Sequence, residues 1–349
     1  MTVVKQLRAA LPRHCLRSST RRSLGYLSFD VAVLATLYVV AWRSPVWLAP
    51  LFWFAQGTMF WALFVLGHDC GHGSFSRRRW LNTLVGHLTH TPLLVPYDAW
   101  RLSHRRHHRH AGDVERDEGW HPLTAAQVEA LPWYVRVLRF RLVPLVFPFY
   151  LTRNSPGRVG SHFDPRAALF PAGSRAAVKR SVACCGVMAL GLLGFAVVAG
   201  PGALLRYYLG PYVMFVVWID IVTYLHHTGA DVPWYRGIAW SFEKGALSTI
   251  DRSYGVFEWL HHNAGCHVVH HLLPEVPHYH LRAAASAIRP LLGARYRDAH
   301  EPILPSLLAT ARSCHVVPAH GGVVRYEPLP SAYAPSPLGR LAGSRPATR

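Results

Sequence analysis

Apolar residues in this chain gather into four long runs, while arginine and histidine gather between them. Leu27 to Trp42, interrupted by Asp30, and Val46 to Gly67 form a first pair joined by Arg43, Ser44 and Pro45. Proline disfavours helix continuation and pushes the residue before it toward extended geometry, so a turn is expected there. Val182 to Leu205, broken near Gly200-Pro201-Gly202, and Tyr207 to about Leu225 form a second pair. About 20 apolar residues suffice for a helix to cross a bilayer core of about 30 Å. The pattern therefore predicts an all-α integral membrane protein with four transmembrane helices arranged as two hairpins.

An even number of crossings returns the chain to its starting side. The segments from Gly67 to Arg180 and from His226 to Arg349 then share a face with the N-terminus. That terminus carries Lys5, Arg8, Arg13, Arg17, Arg21 and Arg22, and the central loop is also arginine-rich. The excess of positive charge places this face and both termini on the cytoplasmic or equivalent side. Leu81 to Tyr97 and Phe140 to Leu151 are shorter or interrupted by Pro, His or Arg. They read as helices lying in the interface or half-buried beside a cap on that side. The chain divides into a basic flank (1–26), a membrane domain (27–312) and a C-terminal tail (313–349), whose end from Ser331 is expected to be disordered. Arg8 to Arg22 faintly resembles a transit peptide, but a cytoplasmic anchor flank is the commoner meaning of such a stretch.

Composition agrees, with 51% hydrophobic and 16% charged residues among 349. A net charge of +19 would suit nucleic acid, yet an acidic lipid surface attracts a basic face through the same Coulomb attraction. Because the basic residues flank apolar runs, the partner is expected to be a membrane and no nucleic acid. Cys15, Cys70, Cys184, Cys185, Cys266 and Cys314 include no CxxC pair. They read as neutral packing residues rather than an iron–sulfur site or zinc ribbon.

Eight of the 23 histidines fall in three clusters: His68 and His72 in HDCGH, His104, His107 and His108 in HRRHH, and His267, His270 and His271 in HVVHH. Spacings of three and four place imidazoles on one helix face, about 5–6 Å apart at Cβ. One isolated HxxHH does not separate a metal site from a surface patch. Three clusters just beyond the ends of apolar runs, on one side of the membrane, do. Eight nitrogen donors exceed the needs of one tetrahedral zinc, so two metals are the economical reading. Imidazole suits zinc, copper, nickel and iron alike. Each neutral imidazole also needs an acceptor to fix its tautomer, and Asp69, Asp98, Asp117, Glu118, Asp220, Asp251 and Glu258 are candidates. Asp220 stands within an apolar run, where an acid usually faces protein or a polar pocket.

Together these residues resemble the membrane fatty acid desaturases, whose hallmark is three histidine boxes of the form HxxxH, HxxHH and HxxHH around four membrane-spanning helices. The resemblance runs from about Leu66 to Tyr296. It includes GHDCGHGSFS, LVPYDAWRLSH, DEGWHPL, WIDIVTYLHHTG, PWYRG, STIDRSYG and HVVHHLLPEVPHYHL. HDCGHGSF and HHNAGCHVVHH look most like the acyl-lipid omega-3 desaturases of cyanobacteria and plastids. The resemblance implies a ninth metal ligand, His227, from the TYLHH segment, with His226 the weaker choice. Arg109-His110-Ala111 departs from the Gln-Asn-His of close relatives, so His110 is expected at the surface and not on the metal.

By the same resemblance, 27–312 is a desaturase domain whose cytoplasmic-side helical cap carries a dinuclear metal site. The cofactors are two iron ions, O2 is the co-substrate, and the substrate is a lipid-linked acyl chain, with linoleoyl groups and an omega-3 double bond favoured. No appended cytochrome b5 domain or HPGG motif occurs, so electrons are expected from an external donor, ferredoxin or alternatively cytochrome b5. An unactivated methylene offers nothing to polarise, so no general base is nominated and an apolar tunnel is expected to set regiochemistry. The walls of that tunnel are expected along Trp53 to Leu66 and Tyr212 to Leu225. A delta-12 desaturase, hydroxylase or conjugase would use the same boxes. A membrane metal transporter would instead place its ligands midway along the spans, and a bis-histidine haem protein would pair histidines at bilayer depth.

Overall fold

The structure is a computed structural model that describes residues 3–120, 122–141, 143–152 and 160–329. The stretch from Ser331 expected to be disordered lies outside the described residues. Among the described residues, four helical segments are long and apolar enough to cross a membrane: Thr20–Arg43, Val46–His72, Ala172–Ala199 and Pro201–His227. The first contains α2 (Thr20–Arg43), which follows the short helix α1 (Val3–Ala10). Ser19 caps α2 by accepting from the Arg22 amide, so this span begins inside the basic 1–26 flank. Its buried residues, Ser23, Asp30, Leu34 and Ala41, form one stripe at helical spacing. Outward-facing Phe29, Val31, Val39 and Trp42 are exposed, as a lipid-facing surface should be.

Helix α3 (Ala49–His72) is buried along most of its length and is the centre of the bundle. On one side of it lie α4 (Arg79–His90) and α5 (Tyr97–His110). Helix α4 buries Leu81 and Val85 while exposing Trp80, Leu84 and Leu88, an amphipathic pattern that suits a helix lying in the membrane interface. Three short helices follow: α6 (Ala125–Glu129), α7 (Trp133–Arg141) and α8 (Phe147–Thr152).

The second hairpin is α9 (Arg175–Ala199), then α10 (Pro201–Leu204), one π turn (Leu205–Leu209) and α11 (Gly210–His227). The Gly-Pro-Gly break is the hairpin turn itself and not an interruption within a span. Gly200 ends α9 with φ of 90°, and Pro201 begins the next helix at a position where its missing N–H costs nothing. Residues Pro201 to Leu205 thus belong to the fourth span instead of the third. Helix α9 is almost wholly exposed, whereas α11 is mostly buried against α3. The close approach of α3 and α11 depends on Gly57, where a Cβ would collide with Met214 Cβ and the Pro211 carbonyl.

Beyond the fourth span come α12 (Phe242–Ala246), α13 (His267–Leu272), α14 (Leu281–Leu292) and α15 (Ile303–Ser313). Two minimal strand pairs pin this cap: Trp234–Tyr235 runs antiparallel to Val323–Val324, and Asp251–Arg252 parallel to Asp298–Ala299. The N-terminal flank packs onto α14 through Leu7, Leu11 and Cys15, at the same end of the molecule as the histidine boxes. Asp30 bonds across to the imidazole of His262 at 2.7 Å, which explains an acid inside the first apolar run.

Candidate metal centre

Each box sits on a helix, and the helices converge. The first box ends α3, the second lies on α5, the third forms α13, and His227 ends α11. His68, His72, His104, His108 and His270 form one group, and His107, His227 and His271 a second, each with ligand atoms within 4.8 Å of one another. His267 joins the second group, its Nε2 3.0 Å from that of His227. The groups adjoin, because the rings of His108 and His271 stack with centroids 4.1 Å apart.

Helix geometry explains this partition. Residues four apart share a face, whereas adjacent residues diverge by about 100°. On α5, His104 and His108 therefore go to one group and His107 to the other. On α13, His267 and His271 go to one group and His270 to the other. The two consecutive histidines of each HxxHH box straddle the two groups.

The donor set fits metal ions better than hydrogen bonds. His108 Nε2 lies 3.1 Å from the Nε2 atoms of both His104 and His270, and a neutral imidazole carries only one N–H. Two nitrogens bound to one metal at about 2.1 Å and a right angle would be about 3 Å apart. Both ring nitrogens of His271 and Nε2 of His72 are buried without a hydrogen-bond partner. Burial, reinforced by neighbouring imidazoles, holds His104, His108, His267, His270 and His271 well below the ordinary histidine range. These rings are neutral at physiological pH and keep a lone pair for a cation.

The acidic residues divide by task. Asp117 accepts from His107 Nδ1 at 2.6 Å and from the amides of Gly112, Gly119 and Trp120. That proton placement leaves the lone pair of His107 on Nε2, toward the second group. Asp251 accepts from the Val268 amide and the Tyr296 hydroxyl, fixing the start of α13. Glu258 accepts from the Tyr254 amide. Asp69, though flanked by box histidines, turns away to accept from the amide and Nδ1 of His278. Asp98 pairs with Arg101, Arg180 and His87, and Glu118 faces Arg106. Asp220 accepts from the Val146 and Phe147 amides at the start of α8.

His226 is in neither group of converging donors; its Nδ1 donates to the Ile250 carbonyl at 2.7 Å. His110 is also outside them, half-buried against Trp240 and not fully at the surface as expected.

A cavity of about 690 Å³, lined largely by apolar side chains, opens onto the histidines. Trp61, Phe64 and Val65 of α3 and Ile219, Val222 and Thr223 of α11 line it, within the two stretches expected to form walls. A third wall runs through Leu131, Val135 and Leu138 to Phe147 and Tyr150. This wall lies outside both stretches expected to form the tunnel, although the alternation of aromatic and basic residues in WYVRVLRFR marks an interfacial helix. Gly57 is absent from the lining because it is spent on the α3–α11 contact.

The family model described as Fatty acid desaturase matches residues 45–301. The chain belongs to the fatty acid desaturase family. It is 48% identical over 326 residues to the sn-1 acyl-lipid omega-3 desaturase (ferredoxin) of Synechocystis sp., covering 93% of this chain and 90% of that one. It is 46% identical over 341 residues to the endoplasmic-reticulum acyl-lipid omega-3 desaturase (cytochrome b5) of Arabidopsis thaliana, covering 95% and 88%. With the chloroplastic sn-2 acyl-lipid omega-3 desaturase (ferredoxin) of Helianthus annuus it shares 47% over 332 residues, covering 92% and 75%. Membership makes the chain a desaturase, and four apolar helices make it a membrane protein. The family implies iron and dioxygen, and the histidine groups of this desaturase are able to hold a metal.

Proposed function

We propose that this desaturase introduces an omega-3 cis double bond into lipid-linked linoleoyl chains, using two irons held by nine histidines. The observation that carries this reading is the pair of adjoining histidine groups at the end of a mostly apolar cavity. His68, His72, His104, His108 and His270 would hold one iron, and His107, His227, His267 and His271 the other. With dioxygen and two electrons, irons bound there supply the removal of two hydrogens from adjacent methylenes.

The protein's own contribution is position and dryness. Burying an acyl chain is worth about 0.8 kcal/mol per methylene in transfer terms, so a long apolar slot suffices for binding. Trp61, Phe64, Val65 and Thr223 fix which carbons lie beside the histidines, and apolar walls exclude water. Asp117 holds the orientation and tautomer of His107 without touching substrate. The electron donor is external; relatives named for ferredoxin and for cytochrome b5 are both close, and ferredoxin is our choice. Both termini and the histidine boxes face the cytoplasm or its equivalent.

Expression in a host that contains linoleate, with ferredoxin available, is expected to yield a trienoic acid with the new bond three carbons from the methyl end. Mapping of double-bond positions by mass spectrometry checks this, and a new bond at another carbon would sink the omega-3 assignment while keeping the enzyme a desaturase. The Asp117→Asn change is expected to lower iron affinity by about 10–100-fold, read as iron retained during dialysis against a graded chelator. Retention equal to the wild type would mean that Asp117 does not orient a ligand.

A further inference from the structure

Outside the iron groups, two histidines and a cysteine meet at the seam between the N-terminal flank and the segment that follows the third box. His14 and Cys15 stand on a short 3-10 turn (Arg13–Leu16), and His280 ends another (His278–His280). Their ligand atoms lie within 4.8 Å of one another, and the rings of His14 and His280 are 5.0 Å apart. We propose that His14, Cys15 and His280 form a third metal site that takes one zinc ion and clips the N-terminal flank to the catalytic cap.

The donor set selects the class of metal. One thiol and two imidazoles suit zinc, whereas calcium and magnesium demand oxygen ligands. Three protein donors and one exogenous ligand complete a tetrahedron. Donors about 2.0–2.3 Å from one zinc lie roughly 3.5 Å apart, so modest side-chain rotation closes the site. The exposed ring of His14 has room for it. None of the three side chains makes a hydrogen bond among the described residues, so no existing partner must be displaced.

The surroundings are already packed and cross-linked by polar contacts. Cys15 is fully buried in an apolar cluster with Leu7, Leu11, Leu281 and Ala284. Arg8 pairs with Glu275 at 3.1 Å, and the Ser19 amide donates to the Tyr279 hydroxyl at 2.7 Å. Two residues before His280, His278 is bonded to Asp69, between His68 and His72 of the first box. A clip at His280 would therefore brace the helix that carries the first box. The neighbourhood is basic, with Arg13, Arg17 and Arg22 in the same segment. Among the three donors, only the Cys15 thiolate, formed as its proton is released on binding, supplies an anion. Cysteine loss should consequently weaken binding more than loss of either histidine.

The test uses the purified full chain in detergent, without chelator, equilibrated with zinc and then washed. The expected result is one zinc per chain beyond the irons, with zinc lost from both Cys15→Ser and His14→Gln while iron content is unchanged. Because His14 is exposed, His14→Gln removes a ligand without disturbing the packing around Cys15. Cobalt(II) in place of zinc should give a thiolate-to-cobalt charge-transfer band that is absent from Cys15→Ser. The proposal is overturned if the wild type shows neither bound zinc nor that band, or if either variant keeps zinc at the wild-type level.

Discussion

His108→Ala and His271→Ala are each expected to abolish desaturation while leaving the protein inserted in the membrane at normal levels. Insertion depends on apolar helices with internally satisfied backbones, and neither residue lies in a span. The two rings stack where the histidine groups adjoin, and His108 Nε2 faces two other imidazole nitrogens. Removing either ring takes one donor from its own group and the wall shared with the other. Iron content should fall with activity. His110→Ala, which removes a half-buried ring but no donor of either group, should leave activity within about two-fold, the factor that about 0.5 kcal/mol represents. Equal loss at His108 and His110, with matched protein levels, would show that the division between ligand and bystander is wrong.

Thr223→Trp is expected to change which acyl chains are accepted, or where the bond falls, without changing iron content. Thr223 lies one helical turn before His227 and lines the cavity. An indole there occupies the space beside the histidines that a methylene must fill, so a chain can enter less far. Ala264→Leu, in the same lining immediately before the third box, should act in the same direction. Gly57→Trp is expected to behave differently, although Trp61 and Phe64 of the same helix α3 line the cavity. A side chain at Gly57 meets the backbone of Pro211, so the α3–α11 contact breaks and protein levels fall. The readout is the product profile on acyl chains of graded length. Profiles for Thr223→Trp and Ala264→Leu identical to the wild type, with active protein, would remove the acyl chain from this cavity.

The contrast between Thr223 and Gly57 separates what a linear pattern carries from what packing decides. Apolar runs read directly as spans, because crossing a bilayer requires length and hydrophobicity that no distant residue can supply. Histidines at spacings of three and four read directly as one-sided clusters, because helix geometry fixes the faces over a few residues. Even the opposite assignment of His107 and His108 follows from their being neighbours on a helix, once two groups are known to exist.

Tertiary structure alone decided the rest. Seven acids were candidates to orient the rings, but only the turn after α5 brings Asp117 onto His107, and only packing turns Asp69 away to His278. His108 and His270 meet although 162 residues separate them, and no local periodicity encodes that pairing. The third wall of the cavity begins at Leu131, well before the Phe140 to Leu151 stretch that reads as an interfacial or half-buried helix, because its partners lie on α3 and α11. His14 and Cys15 read as unremarkable residues of a basic flank until α14 and the turn before it brought His280 beside them. Short-range order is written in the spacing of residues, whereas contacts between distant segments arise only when burying apolar surface forces those segments together.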